Sequence, residues 1–279
     1  MPRRPRETTS SNTYRFFVDP AAFEGERFTS GDPELARQIG GVLRLGPGDR
    51  IVALDGEGWE HVVALERVDR RGAVTGRIER RTAAAGEPRA QLTLYLPLIR
   101  PERFEWALQK GTELGATAFV PTICAHSFSE GGPAAGKLLR WRKILREAAE
   151  QSRRGRLPRL ESPIPFADAC ARAGAAGHAL LLWEGQGAAG LREVLRRLTD
   201  RGRPIEHGAP DAAGHDAPAP DLRAWSILSG PEGGLSEEER RLADRHGIIP
   251  VSLGPRTLRA ETAPIAAAAA VLYEVGDLE

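Results

Sequence analysis

The 279-residue chain is 41% hydrophobic and 28% charged, enough apolar side chain for one large or two small cores and unlike a disordered, collagenous or disulfide-rich chain. Its longest apolar run, Ile265 to Tyr273, is nine residues against the roughly 20 that a helix needs to cross a bilayer. No membrane partner is therefore expected. Residues 1–13 begin with charge but have no apolar stretch behind it, which reads as a flexible tail and a cytoplasmic protein rather than a secreted one. Cys124 and Cys170, the only cysteines, lack C-x-x-C spacing, so both read as buried thiols and no metal site is expected.

The 39 basic and 38 acidic residues nearly cancel, but they are not evenly spread. Residues 137–160 carry nine basic side chains (Lys137, Arg140, Arg142, Lys143, Arg146, Arg153, Arg154, Arg156, Arg159) against Glu147 and Glu150. Such a patch either collects phosphates or is a solvated helix face.

Taken in chain order, residues 14–81 read as a small β module. Short β-rich runs (YRFFV, RIVALDG, EHVVALERV, AVTGRI) are separated by the turn signals Gly46-Pro47-Gly48-Asp49 and Asp55-Gly56, and a partly open barrel would close them. Within the module Asp32 and Pro33 can start a helix over 32–43. Residues 82–90 read as a linker. From Gln91 the pattern changes to strands alternating with helices. QLTLYLPLI, ATAFVPTIC, HALLLW, AWSILSG and IIPVSLG read as strands. Residues 101–114, 137–150, LREVLRRL, EEERRLADRHG and 263–275 read as helices. Residues 202–221, rich in Gly, Pro, Ala and Asp, read as a flexible insertion. The alternation predicts an α/β domain over 91–279 with a largely parallel sheet. On the helix at 137–150, Leu138, Trp141, Leu145 and Ala148 form the apolar stripe and the basic residues take the other face.

Three segments carry candidate chemistry. Gly185-Gln186-Gly187-Ala188-Ala189-Gly190 has dinucleotide-turn spacing, but the acidic residue required about 20 positions on would be Glu206 or Asp211, inside the insertion, and too little chain follows for two nucleotide-binding halves. Ser229-Gly230-Pro231-Glu232-Gly233-Gly234 directly follows a strand, and Ser236 with Glu239 makes a capping box behind it. Three glycines there let backbone amides approach a ligand at the carboxyl end of a strand. Val251 to Pro264 presents Arg256, Arg259 and Glu261 after a second Gly-Pro turn, before a helix that Thr262 can cap. Glu261 there is either a working carboxylate or an ion-pair partner of Arg259.

GPEGGLSEEE and LGPRTLRAETA, with LQKGTELGA (108–116), RKILREAAEQSRRGRLP (142–158) and VLRLGPGDRIVALDGEG (42–58), resemble the bacterial 16S ribosomal RNA uridine-N3 methyltransferases of the RsmE type, in the right order along nearly the whole chain. The resemblance implies a PUA-like β-barrel for RNA followed by a SPOUT parallel sheet with a deep trefoil knot that binds S-adenosylmethionine and works as a homodimer on the 30S subunit. The cofactor would lie against Leu182, Trp183, Glu184 and Gly185, then Ser229, Gly230, Glu232, Gly233 and Gly234, then Leu253, Gly254, Arg256, Leu258 and Arg259. Arg15, Arg44 and Gly48 match the RNA-domain pattern, and Gln151 and Arg154 match the family's Glu-Gln-Ser/Cys-Gly-Arg element, in which Arg153 replaces the usual glycine. With Lys143, these make Arg15, Arg44, Arg153 and Arg154 the RNA-binding candidates. Gln38 stands where the family commonly has histidine.

Uracil N3 is a poor nucleophile while protonated, so methyl transfer to it needs a carboxylate base or a cation that stabilises the uracil anion. Glu232 and Glu261 are the candidate bases, and Arg154, Arg256 and Arg259 the candidate anion contacts. Another SPOUT methyltransferase acting on a different rRNA or tRNA base, and a noncatalytic RNA-binding or ribosome-assembly protein, are the competing readings.

Overall fold

A computed structural model describes residues 14–69, 72–128, 135–201 and 224–278; the proposed tail and insertion lie outside them. The chain divides into two compact units, residues 1–87 with 146–157, and residues 88–145 with 158–279.

The first unit is a six-stranded sheet. Its strands are β1 (Arg15–Phe17), β2 (Phe23–Glu24), β3 (Arg27–Ser30), β4 (Arg50–Leu54), β5 (Trp59–Val68) and β6 (Val74–Ala83), in the spatial order β1-β4-β5-β6-β3-β2. All neighbours are antiparallel except β1 and β4. The β2–β3 hairpin was not foreseen, because its strands are two and four residues long and turn on Gly25-Glu26. Gly25 has φ +58°, a backbone shape that costs glycine nothing. Asp32 caps the expected helix, its Oδ1 accepting from the Glu34 amide at 2.8 Å. Only α1 (Pro33–Ala36) is regular; the rest of that segment is a π-helical turn, Arg37–Val42, containing two adjacent glycines. Phe28, Ile39, Ile51, Val63 and Val74 form the core of this unit.

The division between the units falls inside the segment expected as a linker, 82–90, whose residues up to Glu87 belong to the first unit. β6 runs to Ala83, and Glu87 accepts hydrogen bonds from Arg154 Nη2 (3.1 Å) and from the backbone amides of Gly155 and Arg156 (both 2.9 Å). Arg154 is only 2% exposed. A guanidinium so deeply buried needs a matched carboxylate, since an unpaired charge there costs several kcal/mol. Arg153, where the family has glycine, sits at φ +62°, a shape glycine would adopt without penalty.

The second unit contains eight strands, all parallel: β7 (Gln91–Pro97), β8 (Ala118–Ile123), β9 (Arg159–Leu160), β10 (Ile164–Pro165), β11 (His178–Leu182), β12 (Ala189–Gly190), β13 (Ala224–Leu228) and β14 (Ile249–Ser252). The order is β10-β8-β7-β13-β11-β14-β12, with β9 also on β8. The helices are α2 (Pro101–Leu114), α3 (Ala135–Gln151), whose last turn belongs to the first unit, α4 (Phe166–Ala176), α5 (Leu191–Arg201), α6 (Glu237–Arg245) and α7 (Thr262–Glu274). Helix α4 was missed in the sequence. Its buried residues, Phe166, Ala169, Cys170 and Ala173, follow the i, i+3, i+4, i+7 spacing of a core-facing helix, but alanine and cysteine make a faint stripe.

Trp141 and Leu145 of α3 are buried as the stripe predicted, Trp141 packing 4.3 Å from the Phe104 ring. Arg140, Arg142, Lys143 and Arg146 are exposed. Arg146 Nη1 nevertheless donates to the Phe17 carbonyl (2.9 Å), and the neighbouring Glu150 accepts from the Phe17 amide (2.9 Å), so part of the basic face has a structural role. Both cysteines are buried, and burial pushes each thiol up to about 12. Neither is a reactive thiolate at neutral pH. No helix among the described residues is long and apolar enough to cross a membrane.

Two outcomes are expected. Glu87→Ala leaves Arg154 buried without its carboxylate and should cost about 3–5 kcal/mol in urea unfolding. His61 is buried, stacked on Phe23 at 4.0 Å, and its pKa is lowered from 6.5 chiefly by desolvation, with Asp55 pulling the other way. A lowered histidine contributes stability that is present above pH 6.5 and lost as pH falls through the folded-state value. Melting temperature should therefore drop below pH 6.5, and His61→Gln should flatten that dependence.

Candidate functional site

Strand β11 lies between β13 and β14, pairing Leu181 with Leu228 on one side and Leu182 with Val251 on the other. Because all three run in parallel, their carboxyl-terminal loops emerge side by side, where open α/β sheets hold ligands. The cavity there has a volume of about 650 Å³, within the range that takes a small-molecule ligand or cofactor.

Each wall is built by its own local rule. The first loop leaves β11 through Leu182, Trp183, Glu184 and Gly185, its Trp183 amide donating to the Val251 carbonyl at 3.0 Å. A Cβ on Gly185 would stand 2.5 Å from the Trp183 indole nitrogen, so glycine is what allows the ring its place. The six residues with dinucleotide-turn spacing, 185–190, thus begin at the end of this loop and finish as β12 itself. In the second loop, Ser229 is buried with its amide donating to the Tyr95 carbonyl (3.3 Å), and Gly234 closes a turn onto the Pro231 carbonyl (2.9 Å) at φ +74°. The capping box forms as expected: the Ser236 amide donates to Glu239 Oε2 at 2.8 Å, and the Glu239 amide to Ser236 Oγ at 3.2 Å. Glu239 also accepts from the Ala125 amide at 2.9 Å. His126 Nδ1 lies 3.1 Å from the Gly234 carbonyl. In the third loop, Gly254 turns at φ +100°. Arg259 supplies the carbonyl that receives the Thr262 and Ala263 amides, at 2.8 and 3.0 Å.

Of the residues expected at a cofactor, Leu182, Trp183, Glu184, Gly185, Ser229, Gly230, Glu232, Gly234, Leu253, Gly254, Arg256, Leu258 and Arg259 all line the cavity. Gly233 does not line it; its Cα faces His126, whose Cβ is 2.9 Å from where a Gly233 Cβ would stand. Thr262 is not the helix cap. Glu261 occupies that position and makes no side-chain cap, because its carboxylate is engaged elsewhere.

That engagement is the feature sequence reasoning missed. Arg103, on the first turn of α2, lies in the cavity wall, its Nη1 3.2 Å from Glu232 Oε1 and its Nε 3.8 Å from Glu261 Oε1. One guanidinium therefore ties together both candidate bases, and Glu261 pairs with Arg103, not with Arg259. Glu261 is only 9% exposed and its Oε2 has no hydrogen-bond partner among the described residues; it does not itself line the cavity, although Ala260 and Ala263 on either side of it in sequence do. Arg256 and Arg259 are exposed at the rim. The leading signal for Arg103 was its place one turn after the carboxyl end of β7, at a helix start.

The remaining candidates lie in the first unit or outside the cavity. Arg154 does not line it and pairs with Glu87. Arg15 pairs with Glu60, while Arg44 (φ +57°) and Arg153 are exposed, as is Lys143 on α3. No cluster of three or more His, Cys, Asp or Glu arranged to hold a metal occurs among the described residues.

A family model described as the RNA methyltransferase domain matches residues 86–272. The chain is 31% identical over 244 residues to the ribosomal RNA small subunit methyltransferase E of Bacillus subtilis, covering 86% of this chain and 88% of that protein. It belongs to this methyltransferase family. The namesake from Synechocystis is 32% identical over 95% of this chain and 80% of its own. Among solved structures, ribosomal RNA small subunit methyltransferase E from Neisseria gonorrhoeae, bound to S-adenosyl methionine, superposes with a TM-score of 0.75 at 27% identity, covering 94% of this chain and 98% of that one. A methyltransferase from Legionella pneumophila with bound SAM also gives 0.75 at 27% identity, over 95% and 98%.

Arg103→Met is expected to leave Glu232 and Glu261 facing each other without their cation. The pair is partly solvated, so a loss of about 1–2 kcal/mol in urea unfolding at pH 7 is anticipated. Adding Glu261→Gln should restore most of it.

Proposed function

We propose that this chain transfers the methyl group of S-adenosylmethionine to N3 of a uridine in 16S ribosomal RNA of the small subunit. The observation that carries the reading is the single cavity into which three separate loops converge, lined by thirteen of the fourteen residues matching the family's cofactor motifs. The residues fit such a ligand. Leu182, Val251, Leu253 and Leu258 offer apolar walls, and the glycine turns offer backbone amides; Glu261, behind the lining residues Arg103 and Ala260, holds a buried oxygen without a partner among the described residues.

The reading extends to architecture. The loops after β11, β13 and β14 form a SPOUT trefoil knot, the six-stranded unit is a PUA-like RNA-binding barrel, and the enzyme acts as a homodimer. Family membership supports these readings, and the knot is supported further by a parallel order in which β13, late in the chain, inserts between β7 and β11.

When bound, S-adenosylmethionine supplies an electrophilic methyl group. The chain's own residues then have three tasks. The target uridine must be unpaired or flipped, since pairing occupies its N3 edge. Its imide proton must go to a base as the new N–C bond forms and the sulfonium S–C bond breaks. We assign that proton to Glu261 Oε2, the unpartnered buried oxygen, with Arg103 holding the carboxylate in place through Oε1. Glu232, more exposed and also on Arg103, sets the position of the guanidinium. Arg256 and Arg259 at the rim offer charge for the uracil oxygens or a flanking phosphate. Arg154 acts through the fold of the 152–157 loop rather than at the reacting atoms.

The test is methyl incorporation from labelled S-adenosylmethionine into small subunits lacking this modification, followed by nucleoside analysis. N3-methyluridine is expected from the parent chain. Glu261→Gln should reduce the rate by about 10²–10⁴-fold while leaving cofactor affinity within a few-fold. A different methylated base would replace the substrate assignment, and equal loss of cofactor binding would remove Glu261 from the base role.

A further inference from the structure

The first unit presents an exposed aromatic surface that the methyl-transfer cavity does not use. Trp59, the first residue of β5, is 39% exposed. The guanidinium carbon of Arg81 lies 4.2 Å above the centre of its ring. Trp59 pairs with Ala83 and His61 with Arg81 in the β5–β6 register, so the indole and the guanidinium are diagonal neighbours across two strands, close enough to stack.

Rigid backbone holds this pair from three directions. The Trp59 amide donates to Asp55 Oδ1 at 3.1 Å, the Ala84 amide donates to the Gly58 carbonyl at 2.9 Å, and the Gly58 amide donates to the Gly155 carbonyl at 3.2 Å. The last bond joins the Trp59 turn to the loop that Glu87 organises around the buried Arg154. From that loop the Arg156 guanidinium crosses the face of Gly58, its Nε 3.0 Å from where a Cβ would stand. Gly58 has φ +103°, a left-handed backbone shape that favours glycine. Arg81, Arg153 and Arg156 are exposed, and none makes an ion pair among the described residues. Arg15, Arg50 and Arg154 of the same unit are each paired with a glutamate.

We propose that Trp59 and Arg81 form a stacking platform for an unpaired RNA base, with Arg153 and Arg156 taking the adjoining phosphates. Planar guanidinium and indole surfaces accept any base by its π face, and uncompensated arginines supply the matching charge for the backbone. The platform is pre-ordered by these three hydrogen bonds, so binding need not pay to organise it. A solely structural cation–π pair would need neither the exposed ring nor the unpaired arginines beside it. The proposal rests on the RNA substrate read above and adds where single-stranded RNA is held.

The experiment measures fluorescence anisotropy of the full chain with a labelled oligouridylate and with a labelled RNA duplex of equal charge, across a salt series. Trp59→Ala is expected to weaken oligouridylate binding about ten-fold and to leave duplex binding unchanged, with Trp59→Phe retaining most of the affinity. Arg156→Gln should lower the salt slope by about one. Melting temperature, cofactor binding and methyl transfer to small subunits are measured on the same proteins. A folded Trp59→Ala chain that binds the single strand as tightly as the parent overturns the platform, and does so without touching the methyltransferase reading if the parent still methylates. Equal loss for the duplex overturns stacking in favour of plain surface charge. A change of oligomeric state in Trp59→Ala overturns it in favour of a contact between copies of the chain. Should Trp59→Ala not fold, Arg81→Gln with Trp59→Phe carries the same comparison.

Discussion

The parallel pairing of β11 with both β13 and β14 is the constraint on which the site depends. Backbone hydrogen bonds fix the register of Leu181 against Leu228 and of Leu182 against Val251, and parallel direction sends all three loops out at one edge. Hydrophobic burial then locks the register. Leu180, Leu181, Ile227, Leu228 and Val251 are fully enclosed, so a one-residue slip would turn these side chains to the wrong face. Loops spread over residues 182 to 259 become walls of one cavity without any covalent cross-link.

Within that frame, charge is handled by close pairing wherever it is buried. Arg154 has Glu87, and Glu261 and Glu232 share Arg103. The two arrangements differ in consequence. At Glu87 the carboxylate is filled by a guanidinium and two amides, which makes a stable loop. At Glu261 one oxygen faces Arg103 and the other has no partner among the described residues, which is the basis of the base role proposed for it.

Much of this was legible in order along the chain. The glycine and proline turns announced the loops, the capping box announced α6, and the Trp141–Leu145 stripe announced α3, because each depends on residues within one or two turns of one another. The elements that escaped were those with weak local signals: the short β2–β3 hairpin, and α4 with its alanine-rich stripe. The division between the units falls within residues 82–90 as expected, but the partners of Glu87 there, Arg154 to Arg156, lie about 70 positions away and no local signal announced them.

The sequence by itself determined the α/β class and the positions of the second and third ligand loops, since strand-and-turn chemistry is local, while most of the cavity lining came from the resemblance of its contiguous motifs to the methyltransferase family. Only the tertiary structure decided which charges meet. Arg154, expected among the reacting groups, is closed inside the first unit. Arg103, not singled out, stands between the two carboxylates. Glu261 takes it as partner instead of the neighbouring Arg259. An ion pair is fixed by distance and burial after the chain has folded, and no spacing along the chain states either.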